Sequence, residues 1–284
     1  MSAIPAQPDA LDPSAGRARA GVLGPWRVLR DHGPLIARMA RREIESRYRG
    51  SLLGLGWSVL TPLVMLAVYT FVFAGVLRAR WGEAGAGDFA ARLFLGLILF
   101  QVLARILGES PNLLRQHRSF VTRLVFPTEA LVPVRLGSAL FDSGMAFLVF
   151  LALGWAMAGP PAWSVVFAPV AVVPLALMAL GAGWAFAALG AYLRDLAPIS
   201  ATLATVVLFL SAVFYPAEIV PEPWRAFIRW NPVAASIDTA RDLAFAPASF
   251  DPARFGLLLA FGWLCAWGGL AVFSRLKEGF GDVV

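Results

Sequence analysis

Cysteine, histidine and lysine are almost absent from this sequence of 284 residues. The single cysteine, Cys265, lies in an apolar stretch, so one chain can form neither a disulfide nor a metal site made of cysteines. The two histidines, His32 and His117, lie outside the apolar stretches, and neither has a second ligand at metal-binding spacing. These absences exclude redox chemistry at cysteine, and we predict no metal site.

Motifs of common enzymes are also missing. A P-loop needs a lysine after a glycine-rich turn, whereas the only lysine, Lys277, precedes Glu278 near the C-terminus. The sequence contains no nucleophile elbow, and no carboxylates converge on one face of an apolar stretch. Gly181 and Gly183 lie inside an apolar stretch, which favours close helix packing over dinucleotide binding. We predict no catalytic residues, and an enzyme would need an unrecognised route.

Charged residues are scarce, at 15% of the chain, whereas hydrophobic residues make up 59% and the mean hydropathy is +0.71. A soluble domain contains about 25% charged residues. These values indicate an all-α integral membrane protein, because about 20 apolar residues per helix cross a bilayer core. The net charge of +6 comes from arginines beside apolar stretches, where they orient helices and meet anionic lipid headgroups rather than nucleic acid.

Six apolar stretches predict six transmembrane helices. Their predicted ranges are about 57–77, 93–107, 134–158, 163–191, 199–214 and 255–273. The segments before the first, between the second and third, between the fourth and fifth, and after the sixth hold 17 of the 24 basic residues if Arg105 and Arg135, near the helix ends, are counted. Because positive residues concentrate on the cytoplasmic side, we predict that both termini are cytoplasmic.

The segment before the first apolar stretch divides into two parts. Residues 1–33 are rich in Ala, Pro, Gly and Asp at their start, and we predict a disordered cytoplasmic tail. From residue 34 to 49, apolar residues recur at helical spacing with arginines on the other side. This pattern predicts a basic amphipathic helix along the cytoplasmic membrane surface, with an ordinary solvated helix as the alternative. Residues 34–284 together are predicted to form one transmembrane domain.

Two charged residues, Arg105 and Asp142, fall within the second and third predicted helices, nearer their cytoplasmic ends. A charge inside a membrane is costly and is often functional. The two side chains could instead form a structural ion pair between the helices, and Arg105 alone could extend its long side chain to the interface. The three interpretations stay open at this point.

The segment between the fifth and sixth predicted helices contains two short helical patterns, 223–230 and 233–245. Each is too short to cross a bilayer, and Asn231-Pro232 between them ends a helix. The segment therefore predicts a re-entrant or interfacial helical hairpin on the outer side of the membrane.

Five stretches resemble those of a known family. They are 41–63 (RREIESRYRGSLLGLGWSVLTPL), 69–73 (YTFVF), 125–129 (VFPTE), 192–195 (YLRD) and 223–232 (PWRAFIRWNP). Each is short, but their order on six predicted helices is specific. From residue 34 onward the chain resembles the permease subunit of type 2 ABC exporters for O-antigen polysaccharide and teichoic acid.

This resemblance implies a homodimer of permeases bound to two copies of a separate P-loop ATPase in the bacterial inner membrane. ATP and magnesium would bind to that ATPase, so this chain would hold no cofactor. The cargo would be a lipid-linked polysaccharide leaving the cytoplasm. A permease for drugs or lipids and a polytopic glycan-processing enzyme are the alternative interpretations.

The resemblance also implies roles for particular residues. The amphipathic helix would be an interface helix that also contacts the ATPase, and it carries Arg38, Arg41, Arg42, Arg47, Tyr48 and Arg49. A coupling helix that starts at Ser110-Pro111 would bind in a groove of the ATPase. The residues predicted to contact the ATPase are Glu109, Ser110, Leu113, Leu114, Arg115, His117, Arg118 and Phe120. The translocation path would be lined by Trp57, Tyr69, Phe73, Phe100, Phe209, Phe214 and Tyr215. The outer gate helices would carry Trp224, Phe227, Trp230 and Asn231.

Overall fold

The computed structural model describes residues 21–76, 86–118, 126–158 and 163–280. Within these ranges the chain is helical and contains no β-strand. The α-helices are α1 (Gly24–Tyr48), α2 (Trp57–Tyr69), α3 (Ala86–Gln116), α4 (Leu131–Ala158), α5 (Val172–Tyr192), α6 (Leu196–Leu210), α7 (Trp224–Trp230), α8 (Pro232–Phe245) and α9 (Pro252–Leu276). A π-helical turn, Thr70–Val76, extends α2, and a 3-10 helix, Trp163–Ala171, leads into α5.

Five helical segments are long and apolar enough to cross a membrane: Gly54–Phe73, Asp88–Gln116, Thr128–Trp155, Trp163–Tyr192 and Pro252–Gly279. They correspond to the first four predicted transmembrane helices and the sixth. The fifth, predicted at 199–214, corresponds to the shorter helix α6. Its 15 residues extend about 22 Å, less than the bilayer core of about 30 Å. Six crossings therefore remain a prediction.

Helix α1 begins at Gly24, well before the predicted start at Pro34. Residues 24–33 are therefore helical, and their assignment to a disordered tail is wrong. Val28 supplies the physical reason, because its side chain is buried in the main hydrophobic core. Trp263 of α9 also donates a hydrogen bond to the carbonyl of Val22. Residues 1–20 lie outside the described ranges.

Helix α3 continues to Gln116, although the sequence predicted a new helix starting at Ser110-Pro111. That predicted start is wrong, because Pro111 lies inside α3. Gly190 of α5 approaches this turn so closely that a Cβ there would lie 2.2 Å from the Pro111 carbonyl oxygen. A proline is tolerated inside a packed membrane helix, since its neighbours fix the local backbone.

Helices α3, α5 and α9 form the centre of the fold, and glycines let them approach. A Cβ on Gly181 would lie 2.2 Å from the carbonyl oxygen of Cys265, and one on Gly269 would lie 1.9 Å from that of Gly181. This geometry confirms that the glycines of α5 serve close helix packing. By contrast, α2 is peripheral, since only 6% of its most apolar stretch is buried, against 72% for α3.

Replacing Gly269 by Ala tests this packing, because the new Cβ would overlap the backbone of α5. We expect the melting temperature of G269A in detergent to fall by several degrees. Gly268→Ala is the matched control, since a Cβ there meets nothing within 4 Å. Alanine favours a helix over glycine by about 1 kcal/mol, so G268A should melt at or above the wild type. If G269A and G268A melt at the same temperature, the close packing of Gly269 against α5 does not stabilise the fold.

Candidate functional site

Three helices bring six charged side chains together at one end of α3 and α4. We call this set the charge network; it consists of Glu43 and Arg47 of α1, Arg105 and Glu109 of α3, and Arg135 and Asp142 of α4. On each helix the spacing is four or seven residues, which places both side chains on one helical face. The three arginines and three carboxylates balance, so the network carries no net charge.

Asp142 is the acceptor that links all three helices in this network. It pairs with Arg105 of α3, as the sequence suggested, and Arg47 Nη1 of α1 lies 2.5 Å from the same carboxylate. Arg47 also donates a hydrogen bond to Ser138 Oγ over 2.7 Å. Tyr48 Oη donates to the other Asp142 oxygen over 3.3 Å. The end of α1 is therefore held against α3 and α4 by polar contacts.

Glu43 makes the second connection between the helices. Its carboxylate lies 3.1 Å from Arg135 Nη1 and 3.3 Å from Arg47 Nη2. Glu109 receives Arg105 Nε at 3.1 Å and lies 3.4 Å from Arg135. The sequence did not predict that these three carboxylates lie close together at this end of the bundle. Each carboxylate faces an arginine, which is the arrangement that a low-dielectric environment requires.

Replacing Glu43 by Gln tests the charge network, because it removes one of three carboxylates while three arginines remain. Since the side chain is mostly buried, we expect a loss of about 1–3 kcal/mol in stability. The measurements are the melting temperature in detergent and the rate at which trypsin cleaves α1.

Glu45→Gln is the matched control, two residues away on the same helix. Its partner Arg41 is mostly exposed, and such a pair contributes about 0–1 kcal/mol. If E43Q and E45Q melt and cleave alike, the network does not hold α1.

A cavity of about 810 Å³ opens beside the charge network, between α2, α3 and α4. Arg47, Arg105 and Asp142 form its charged end. Side chains of α2 and apolar side chains of α3 and α4 form the remaining wall, which Gln101 also lines. Gln101 is exposed and makes no hydrogen bond to any described residue. The cavity therefore offers polar and apolar surfaces side by side.

The residues predicted to line a path fall into three places. Trp57 and Tyr69 of α2 line the cavity at opposite ends of the helix. Tyr69, Phe73, Phe209 and Phe214 form an aromatic cluster, in which Phe73 stacks on Phe214 with ring centroids 5.5 Å apart. Tyr215 joins its edge by donating to the Phe209 carbonyl. Phe100 does not belong with them, because it is buried in the core at 2% exposure.

Helices α7 and α8 form the predicted hairpin after α6. Three of the predicted gate residues, Trp224, Phe227 and Trp230, are exposed on α7. The fourth, Asn231, caps α8 by accepting hydrogen bonds from the amides of Val233 and Ala234. Its side-chain amide also donates to the carbonyl of Leu210 at the end of α6. Asn231 therefore links the two helices of the hairpin to α6, and the gate role of these residues remains a prediction.

Arg241 of α8 is a buried charge that the sequence analysis did not single out. Its guanidinium donates to the carbonyls of Ala212 over 3.1 Å and Val213 over 2.9 Å, and it lies 3.3 Å from Asp238. Burial lowers the pKa of Arg241 to about 10, which leaves it charged at neutral pH. The spacing in the sequence could have indicated this burial, because Arg241 follows Ile237 by four residues and so lies on the same helical face. Ile237 is fully buried in the structure. Arg241 thus satisfies backbone groups where the chain leaves α6.

The residues predicted to couple to an ATPase divide between core and surface. Ser110, Leu113 and Leu114 are buried, and Glu109 belongs to the charge network. Arg115 Nη2 donates to Asn112 Oδ1, and Arg118 is exposed. Burial lowers the pKa of the half-buried His117. Phe120 lies outside the described residues. A partner could reach the end of α3 only beyond Leu114, and the coupling role itself remains a prediction.

Lys277, the only lysine of the sequence, connects the C-terminal end of α9 to the segment before α4. Lys277 Nζ lies 2.6 Å from Glu129, a buried carboxylate just before α4. Trp184 Nε1 donates to the carbonyl of Glu129 over 2.9 Å, and Tyr192 Oη donates to the carbonyl of Leu276 over 2.8 Å. Glu129 and Tyr192, from two of the stretches that resemble the family, therefore both contact the end of α9.

Replacing Lys277 by Met tests this ion pair, because it removes the cation that faces the buried Glu129. We expect a clear fall in melting temperature, since a buried charge loses its ion-pair partner. The double variant K277M/E129Q should recover part of the loss by removing the carboxylate charge. Arg275→Met, which removes an exposed cation two residues away, is the control. If K277M and R275M melt at the same temperature, the ion pair between Lys277 and Glu129 does not stabilise the fold.

The comparison with known families agrees with this architecture. The ABC-2 type transporter family matches residues 34–245, about three quarters of the chain. The chain therefore belongs to the ABC-2 type transporter membrane family, which confirms the family resemblance found in the sequence. It is a multi-pass membrane protein of an ABC transporter.

Individual relatives resemble the chain over almost their whole length. The chain is 26% identical to the O-antigen export system permease protein RfbA of Myxococcus xanthus over 260 residues, 91% of this chain and 98% of that protein. It is 24% identical to RfbA of Klebsiella pneumoniae over 255 residues, 88% of this chain and 95% of that protein. It is 22% identical to the polysialic acid transport protein KpsM of Escherichia coli over 240 residues, 84% of this chain and 91% of that protein.

Proposed function

We propose that this chain is the membrane permease of an ATP-driven exporter that moves a lipid-linked polysaccharide out of the cytoplasm across the bacterial inner membrane. The observation that carries the proposal is the near full-length match to permeases named for O-antigen export and polysialic acid transport. The match extends from α1 through the hairpin, so it includes the cavity, the charge network and the aromatic cluster.

The peripheral position of α2 supports a homodimer. Exposed side chains of α2 and its π-helical extension include Val64, Val68 and Phe71, and α6, which packs on α3, exposes Ile199 and Phe209. Two copies facing each other through α2 and α6 would enclose a path between them, with Trp57 at one end and the aromatic cluster at the other. Closed two-fold symmetry is the commonest arrangement of membrane and soluble oligomers alike.

Energy for transport would come from two copies of a separate P-loop ATPase, which would bind ATP and magnesium. The only lysine of this sequence pairs with Glu129 and has no phosphate-binding turn around it. The proposed contact surface is the exposed end of α3 at Arg118 together with α1, both of which would face the cytoplasm. The charge network would then transmit movement from that surface to α4.

A deletion strain tests the proposed function. Without this chain we expect lipid-linked polysaccharide to accumulate in the cytoplasm and surface polysaccharide to disappear. A plasmid copy carrying an affinity tag should restore export and should bring a P-loop ATPase through purification in mild detergent. Tyr69→Leu, which removes a ring from the aromatic cluster, should reduce the restored export. Phe261→Leu is the matched control, because Phe261 is an exposed aromatic residue of α9, outside the aromatic cluster and the proposed dimer face.

Three outcomes would contradict the proposal. Unchanged surface polysaccharide, in a strain without a second exporter, would exclude polysaccharide as the cargo. Accumulation of a drug or simple lipid instead would identify the chain as a different kind of ABC-2 permease. Synthesis of glycan by the purified chain alone would identify an enzyme.

A further inference from the structure

A second cavity lies on the opposite side of Tyr48 from the first, between α1, the turn before α2, and α4. Its volume is about 960 Å³, and it opens to the outside of the helix bundle. Ile44, Leu55, Leu140 and Phe141 form an apolar floor, and Arg41 and Arg49 lie at its rim. We call this cavity the lateral groove. It is separate from the charge network, since Arg47 and Arg105 of the network line the first cavity and not this one.

The position of the lateral groove places it where headgroups meet acyl chains. Helix α1 crosses α4 at Ala40 and Gly137, where a Cβ on Gly137 would lie 3.2 Å from the Ala40 Cβ. The rim lies at the end of the amphipathic helix, whereas Leu140 and Phe141 of the floor lie within Thr128–Trp155, a segment apolar enough to cross a membrane. An occupant therefore needs a polar end at the level of α1 and an apolar part along α4.

The charge of the rim selects the polar end of that occupant. Arg49 is exposed and forms no ion pair with any residue in the described ranges. Arg41 donates its Nε to Glu45 over 2.8 Å at the surface, which leaves both terminal nitrogens of its guanidinium available. Arg47, by contrast, faces the charge network and is paired with two carboxylates. Glu45 also lines the groove, so the two arginines leave the rim with a net charge of +1, which suits a phosphate group.

We propose that the lateral groove binds an anionic phospholipid of the leaflet that α1 faces, which is the cytoplasmic leaflet in the proposed orientation. One acyl chain lies over Leu140 and Phe141, and the phosphate lies between Arg41 and Arg49. A soluble protein partner fits less well, because the floor lies at the depth of the bilayer. Bound lipid ties α1 to α4 at the membrane surface, whatever the cargo of the transporter is.

Lipid titration of the purified chain in detergent tests this proposal by native mass spectrometry and by thermal unfolding. Phosphatidylglycerol should bind and raise the melting temperature, whereas phosphatidylcholine should do so much less. In R41Q/R49Q we expect phosphatidylglycerol affinity to fall at least about tenfold. The matched control is R38Q/R42Q, which removes the same charge from the same helix but outside the groove.

Ala37→Phe provides a second variant that leaves every charge in place. Ala37 is exposed at the groove, so the ring should fill the cavity and block the lipid without disturbing the core. Equal loss of binding in R41Q/R49Q and R38Q/R42Q would overturn the proposal in favour of general surface attraction. Equal binding of phosphatidylcholine, or full displacement of the lipid by soluble glycerol phosphate, would also overturn it.

Discussion

The pairing of charges between α1, α3 and α4 is the constraint on which the cytoplasmic-facing half of the proposed transporter depends. Arg105 and Asp142 lie on helices that are otherwise apolar, where an unpaired charge is expensive. Both charges are paired within the charge network, in which three arginines balance three carboxylates. Two of these six side chains belong to α1. An amphipathic helix that would otherwise only rest on a membrane is thereby fastened to two membrane-spanning helices. These ion pairs connect α1 to both α3 and α4.

A second constraint, the need for hydrogen-bond donors to backbone carbonyl groups, applies at the end of α6. Where α6 stops, its last carbonyl groups and those of the following loop need donors, since a membrane supplies no water for them. Arg241 and Asn231 of the hairpin provide these donors. The hairpin thus completes the hydrogen bonding at the end of α6, and Tyr215, at the edge of the aromatic cluster, packs against Ile228 and Ala234 of the hairpin. Polar groups at both ends and small residues in the centre together fix the arrangement of the helices.

Local patterns predicted much of this arrangement. Apolar stretches located the five long segments, turn residues located the hairpin, and two charges in apolar surroundings located Arg105 and Asp142. The two wrong helix starts share a cause, since each concerned a proline. Pro34 and Pro111 are typical of helix starts, yet both lie inside helices because Val28 and Gly190 bring distant elements into contact there. Helix boundaries depend on these contacts, which no local pattern contains.

The sequence by itself determined that the chain is helical, that it lies in a membrane, and that it belongs among ABC-2 type permeases. Those properties follow from hydrophobicity summed over long segments and from short motifs, and neither depends on which helices touch. Only the tertiary structure decided that Glu43 faces Arg135, that Arg241 reaches the end of α6, and that Arg41 and Arg47 serve different cavities. Such pairings join residues far apart in the chain, and they are set by the crossing of helices that glycines allow to pack closely.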